Sequence, residues 1–134
     1  MIKKLFGLII LAAAAMSCAQ AAELTGTLKK VKETNSITVG YRESSIPFSY
    51  LDNNGKPIGY AMELCGKVVD AVKADLKMPG LKVNYTPVTS SNRIPLLENG
   101  TIDLECGSTT NSVARQKQVA FGPTYFVINV TAAV

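Results

Sequence analysis

Two arginines and a set of hydroxyls stand where chemistry could be done. Arg42 lies in "VGYRESS", Ser90, Ser91 and Arg93 in "TSSNRIP", and Ser108, Thr109 and Thr110 in "CGSTTN". A guanidinium stays charged at any ordinary pH and presents a fork that matches a carboxylate in bidentate fashion. Hydroxyls add donors whose directions adapt, and helix starts offer unpaired N–H groups to anions. Together these residue types suit a small anion with more than one acidic group. Each has a plainer reading too, Arg42 as a solvated loop charge and "GSTTNS" as a turn with a helix cap. Arg93 at a helix start would oppose the helix dipole, and the convergence of all of them carries more weight than any one.

Convergence needs elements that deliver these residues to one place. "LTGTLKKVKETN" reads as a short polar helix or arm, and "SITVGY" as a buried strand with its β-branched residues. In "FSYLDNNGKPIGY", Asn54-Gly55 between two aromatic segments predicts a hairpin. From Ala61 to Leu76 the period turns helical, with Ala61, Leu64, Cys65, Val68, Val69, Val72 and Leu76 on one face. "LKVNYTPV" predicts a second strand. "TSSNRIPLLENG" predicts a second helix, capped by Ser91 or Asn92, with Pro95 in its first turn and Gly100 beyond its end. "TIDLECGS" predicts a third strand, "TTNSVARQKQV" a third capped helix, and "AFGPTYFVINVTAAV" a last extended segment.

That order predicts an α/β fold, an open and mostly parallel sheet with flanking helices. Ligands of such sheets sit beyond the carboxyl ends of the strands. Arg42 ends the first strand, Ser90 to Arg93 follow the second, and Ser108 to Thr110 follow the third at the expected start of a helix. One rim would then collect the arginines, the hydroxyls and two helix N-termini, with Tyr41, Phe48, Tyr50 and Tyr60 as core or wall.

Composition narrows the function classes. Residues 1–21 have a signal peptide's three parts in order: Lys3 and Lys4, the apolar run of 12 in "LFGLIILAAAAM", and "AQA" at Ala19–Ala21. The domains expected are a signal peptide, 1–21, and one folded unit, 22–134. Cys18 opens the alternative of a lipid anchor. Against 14 basic and 10 acidic side chains overall, removing Lys3 and Lys4 leaves a small net positive charge. No basic cluster or aromatic-basic stripe remains, so no nucleic-acid partner is expected. No later apolar run is long enough to span a bilayer. Cys65 and Cys106 survive cleavage as an even pair, which in an oxidising compartment predicts one disulfide, with two buried thiols as the other reading. The N-x-[ST] matches at Asn84, Asn99 and Asn129 are read as chance. With no histidine there is no Ser-His or Cys-His pair and no histidine metal site. Glu43, Asp103 and Glu105 are candidate acids or bases, but nothing in the sequence pairs them. No catalytic residue, metal or cofactor is expected.

The runs "VGYRESSIPFSYLDNNGKPIGYAMELC", "TSSNRIPLLENGTIDLECGSTTN" and "RQKQVAF" closely resemble the amino-acid-binding proteins of bacterial ABC transporters, and among them the glutamate/aspartate branch. The resemblance covers about Ile37 to Val127. It implies a two-lobed periplasmic binding protein of type II, of which this chain would be lobe one with the second lobe missing. It further implies that Arg93 clamps a ligand's α-carboxylate, with Ser108 and Thr110 helping to hold the α-carboxylate and α-ammonium. Arg42, with Ser90, would receive the side-chain carboxylate. The expected partners are L-glutamate or L-aspartate and the transporter's membrane permease, and the expected location is the periplasm. With one wall the charges stay screened by water, so the 134-residue chain alone is expected to bind weakly. A sensor feeding a receptor or kinase, and a dehydratase on the same fold, are the rival readings.

Overall fold

A computed structural model describes residues 23–128. The expected signal peptide, Cys18, Asn129 and the end of the last segment lie outside the described residues. Helix α1 (Gly26–Thr34) leads in and closes at Asn35, whose left-handed conformation turns the chain into strand β1 (Ser36–Tyr41). Strands β2 (Ser44–Ser45), β3 (Ser49–Leu51) and β4 (Pro57–Ile58) follow, then helix α2 (Tyr60–Asp75) and strand β5 (Lys82–Pro87). Helix α3 (Arg93–Glu98), strand β6 (Leu104–Cys106) and helix α4 (Val113–Gln116) complete the order.

The parallel sheet runs β5-β1-β6, with β1 in the middle. A central strand of a parallel sheet is covered on both faces, and Ile37, Val39 and Gly40 of β1 are buried accordingly. Val31 of α1, Met62 and Val69 of α2, Leu81 and Cys106 join Ile37 and Val39 in the core. A small antiparallel sheet, β2-β3-β4, sits beside it. Between β3 and β4 the Asp52 carboxylate accepts from the Asn54 and Lys56 amides, both at 2.8 Å. Gly55 takes a φ of 75° there, which glycine adopts without steric cost.

Helix α1 is tied to the sheet by a polar knot. Lys30 Nζ donates to Asp103 Oδ1 at 2.8 Å and to the Gly100 carbonyl at 2.7 Å, while Asp103 Oδ2 accepts from the Thr38 amide at 2.9 Å. On α2, Cys65 is bonded through sulfur to Cys106, with 6.2 Å between the α-carbons.

Four expectations need correction. Val68 is 47% exposed and Met62 takes its place in the core, because the apolar stripe meets the sheet on one side only. Helix α3 starts at Arg93 with Asn92, one of the two expected caps, at its N-cap position, but the Asn92 side chain makes no bond into the helix. Instead Thr89 Oγ1 accepts from the Asn92 amide (3.2 Å) and Asn92 Oδ1 accepts from the Thr89 amide (2.7 Å), a reciprocal box that opens the turn ahead of the helix. Ser108, Thr109 and Thr110 lie in a loop rather than at a helix start, since α4 begins at Val113 with Ser112 as cap. In the last extended segment residues 120–128 pair with no strand; Tyr125 and Phe126 pack on Tyr60 and Phe48 instead.

Candidate functional site

Register decides where the polar residues gather. Tyr41 stands level with Pro87 on one side and with Cys106 on the other. The three strands therefore end at one height, and the next residues of each emerge together at a single rim. Arg42 Nη1 donates to Ser90 Oγ at 2.9 Å, so the residues after β1 and β5 meet there. Ser108 Oγ lies 3.5 Å from Ser45 Oγ, which brings in the loop after β6 and the small sheet.

The backbone of Arg42 is held from beneath. Ser49 on β3 is fully buried, accepts from the Arg42 amide at 2.9 Å and donates to the Arg42 carbonyl at 3.1 Å. That grip fixes where the side chain starts, while its guanidinium reaches solvent at Ser90. Ser49 is not legible beforehand, because a lone serine in a short aromatic strand carries no spacing signal.

Arg93 is different: it is only 5% exposed. Its Nη1 lies 3.7 Å from Glu105 Oε1, an ion pair too long for a hydrogen bond, and both side chains are buried. Arg93 Nε and Nη1, Glu105 Oε1 and Thr109 Oγ1 are buried without a hydrogen-bond partner among the described residues. Four such atoms form a cluster of unmet polar demand, which is rare in native proteins and calls for an explanation. Burial lowers the Arg93 pKa; Glu105 opposes this, and the Arg42 and Arg115 charges add to it. Burial likewise raises the Glu105 carboxyl, against Thr109, Arg93 and Arg42. The long buried pair thus leaves both charges incompletely compensated.

Pairing of Arg93 with Glu105 was not legible in the sequence, where the two are far apart. Arg115 was also missed. Its Nη1 donates to the Thr110 carbonyl at 2.9 Å and so braces the "GSTT" loop from α4. Tyr125 closes the loop from the other side, its hydroxyl donating to the Gly107 carbonyl at 2.7 Å. Burial, then the Glu105 charge, then Tyr60 raise the Tyr125 pKa. Tyr60 packs edge-on to Tyr125 and Phe48 to Phe126, with centroids 5.8 and 4.9 Å apart. These rings form the apolar border of the rim.

All five expected ligand residues therefore gather around this rim, though Ser108 and Thr110 reach it on a loop. The positive character comes from side chains, since helices of six and four residues are too short to build much dipole. The rim is an open shelf. Two depressions, of about 130 and 500 Å³, lie elsewhere, one beside α2 and β5 and one beside Lys30, Gly100 and Asp103. Neither includes a rim residue.

Residues 37–134 match the bacterial extracellular solute-binding proteins, family 3. The chain belongs to that family. It is 62% identical over 107 residues to the L-glutamate/L-aspartate-binding protein of Pseudomonas aeruginosa, covering 79% of this chain and 35% of the relative. It is 56% identical over 102 residues to the glutamate/aspartate import solute-binding protein of Escherichia coli, covering 76% of this chain and 34% of that protein. The chain thus spans about a third of the length of these curated relatives. Among solved structures it resembles an ancestral cationic amino acid solute binding protein, with a TM-score of 0.65 at 28% identity, over 75% of this chain and 41% of the other. It also resembles the arginine-bound form of domain 1 from TmArgBP, with a TM-score of 0.63 at 25% identity, over 74% of this chain and 71% of that one. The fold is that of a periplasmic binding protein of type II, represented here by part of the chain.

Proposed function

We propose that this chain forms one wall of a cleft that captures L-glutamate or L-aspartate outside the cytoplasm for an ABC-transporter permease. The observation that carries this reading is the buried, under-partnered Arg93 next to the Arg42–Ser90 pair on one rim. High identity to glutamate/aspartate-binding relatives supports the choice of an acidic amino acid. In this reading Arg93 takes the α-carboxylate, Ser108 and Thr110 help hold the α-carboxylate and α-ammonium, and Arg42 with Ser90 takes the side-chain carboxylate. Residues 22–134 would be lobe one, behind a signal peptide at 1–21. The protein would work in the periplasm and would be a carrier rather than an enzyme. The curated relatives are named as binding proteins, and the chain offers no histidine for acid–base chemistry. A structural neighbour named as a dehydratase, at 24% identity, shares the fold only.

The test is calorimetry with L-glutamate and L-aspartate on the complete two-lobed protein, comparing Arg42→Ala with the unchanged protein. Truncating one partner of a desolvated charge pair costs about 2–5 kcal/mol, so binding is expected to weaken at least about tenfold. Unchanged affinity for both amino acids would remove Arg42 from the site.

A further inference from the structure

The reading above uses Arg42 and Arg93 but leaves Glu105 and Gly107 without a task. Glu105 is an acidic residue buried on a shelf that should attract acids. It is the anion at 3.7 Å from Arg93 Nη1. Gly107, two residues on, is buried as well. A β-carbon placed on Gly107 would stand 2.5 Å from Glu105 Oε1 and 3.0 Å from Arg42 Cγ. The stem of Arg42 and the carboxylate of Glu105 therefore flank one α-carbon, and the same Oε1 that faces Gly107 lies 3.7 Å from Arg93 Nη1. Gly107 thus neighbours both Arg42 and Glu105, and Glu105 neighbours Arg93.

We propose that Glu105 is a positioning residue that sets the spacing of the two arginines, and that Gly107 is the gap which lets it do so. The proposal rests on the reading that the rim takes an acidic amino acid. Without Glu105, Arg93 would face the like charges of Arg42 and Arg115 with nothing to hold it against them. With a methyl group at Gly107, the Glu105 carboxylate and the Arg42 stem would both have to move. The groups that face Glu105 are Arg93, Arg42, Thr109 and Tyr125, and of these Arg93 is the one paired with it. Competition is the opposite possibility, in which Glu105 merely occupies Arg93 and weakens its pull on a ligand. The two make opposite demands on a neutral replacement.

The experiment combines side-chain NMR with binding of L-glutamate near neutral pH. In the unchanged full chain the Arg93 Nε–H resonance should shift along with the titration of the Glu105 carboxyl carbon. Glu105→Gln and Gly107→Ala should each broaden or displace that resonance and weaken L-glutamate binding at least about tenfold, with the backbone amide spectrum otherwise kept. Tighter binding by Glu105→Gln, or an Arg93 resonance indifferent to Glu105 in the unchanged chain, overturns the proposal. That last measurement needs no variant to fold. Should the complete two-lobed protein take up neither L-glutamate nor L-aspartate, the functional reading falls, and the Arg93 spectrum still decides whether Glu105 positions it.

Discussion

Glu105 has a further consequence at the scale of the residue. Burial raises its carboxyl above the ordinary value of 4.5, so between that value and the raised one the folded state holds more protons than the unfolded state. Stability is then greatest below the ordinary value and falls as pH rises through the raised one. Thermal melts across that interval should show Tm declining with increasing pH, and Glu105→Gln should flatten the decline. A wild-type melt that climbs steadily through the same interval would contradict the assignment. Arg42 was legible as a candidate from its place after a strand, and Arg93 from its awkward place at a helix start. Ser49 was not, and Glu105 was legible only as an acid without a partner, because their meaning comes from who meets them across the fold. Burial of a charge cannot be seen in a string of letters that puts "LEC" in a strand and leaves its facing partner unnamed.

Elements were easier to read than their edges. The period of 3.6 in α2 and the β-branched run in β1 are strong local signals, and both elements formed where expected. Of the two expected caps of helix α3, Asn92 stands at the N-cap position, but its side chain exchanges hydrogen bonds with Thr89 rather than with the helix. Several adjacent residues in "TSSN" can cap, so local chemistry alone does not choose among them, whereas the buried Val88 fixes where the strand's exit points. Removing the Thr89 hydroxyl as Thr89→Ala should cost about 1 kcal/mol, read as a lower midpoint in urea with an unchanged slope. A Ser91→Ala variant should leave the midpoint nearly in place. The last segment has the strand-like letters "YFVINV", yet its described residues pair with no strand and its aromatic rings pack on Phe48 and Tyr60.

At the scale of the molecule, the bond between Cys65 and Cys106 spans 41 positions of sequence and fastens α2 to the strand that carries Glu105. In the chain-entropy view such a closure contributes about 4 kcal/mol. Reduction, or Cys65→Ser paired with Cys106→Ser, should lower Tm by on the order of 20 °C for a domain of this size. Denatured, unreduced protein should release no thiol from either position. Two titratable thiols there would end the idea. The parallel architecture itself was legible from element order alone, since strands and helices alternate and chirality leaves few ways to connect them.

The level ends of β1, β5 and β6 impose a rule on how such a chain can change. Side chains along a strand alternate between faces, so inserting or deleting one residue inside any of the three would turn its whole face over. It would also raise or lower one corner of the shelf by about 3.3 Å, more than the reach of a hydrogen bond. Variation in length is therefore tolerable in exposed turns outside these strands, such as Asn53–Lys56 in the hairpin, and ruinous in the three short stretches that end at the shelf.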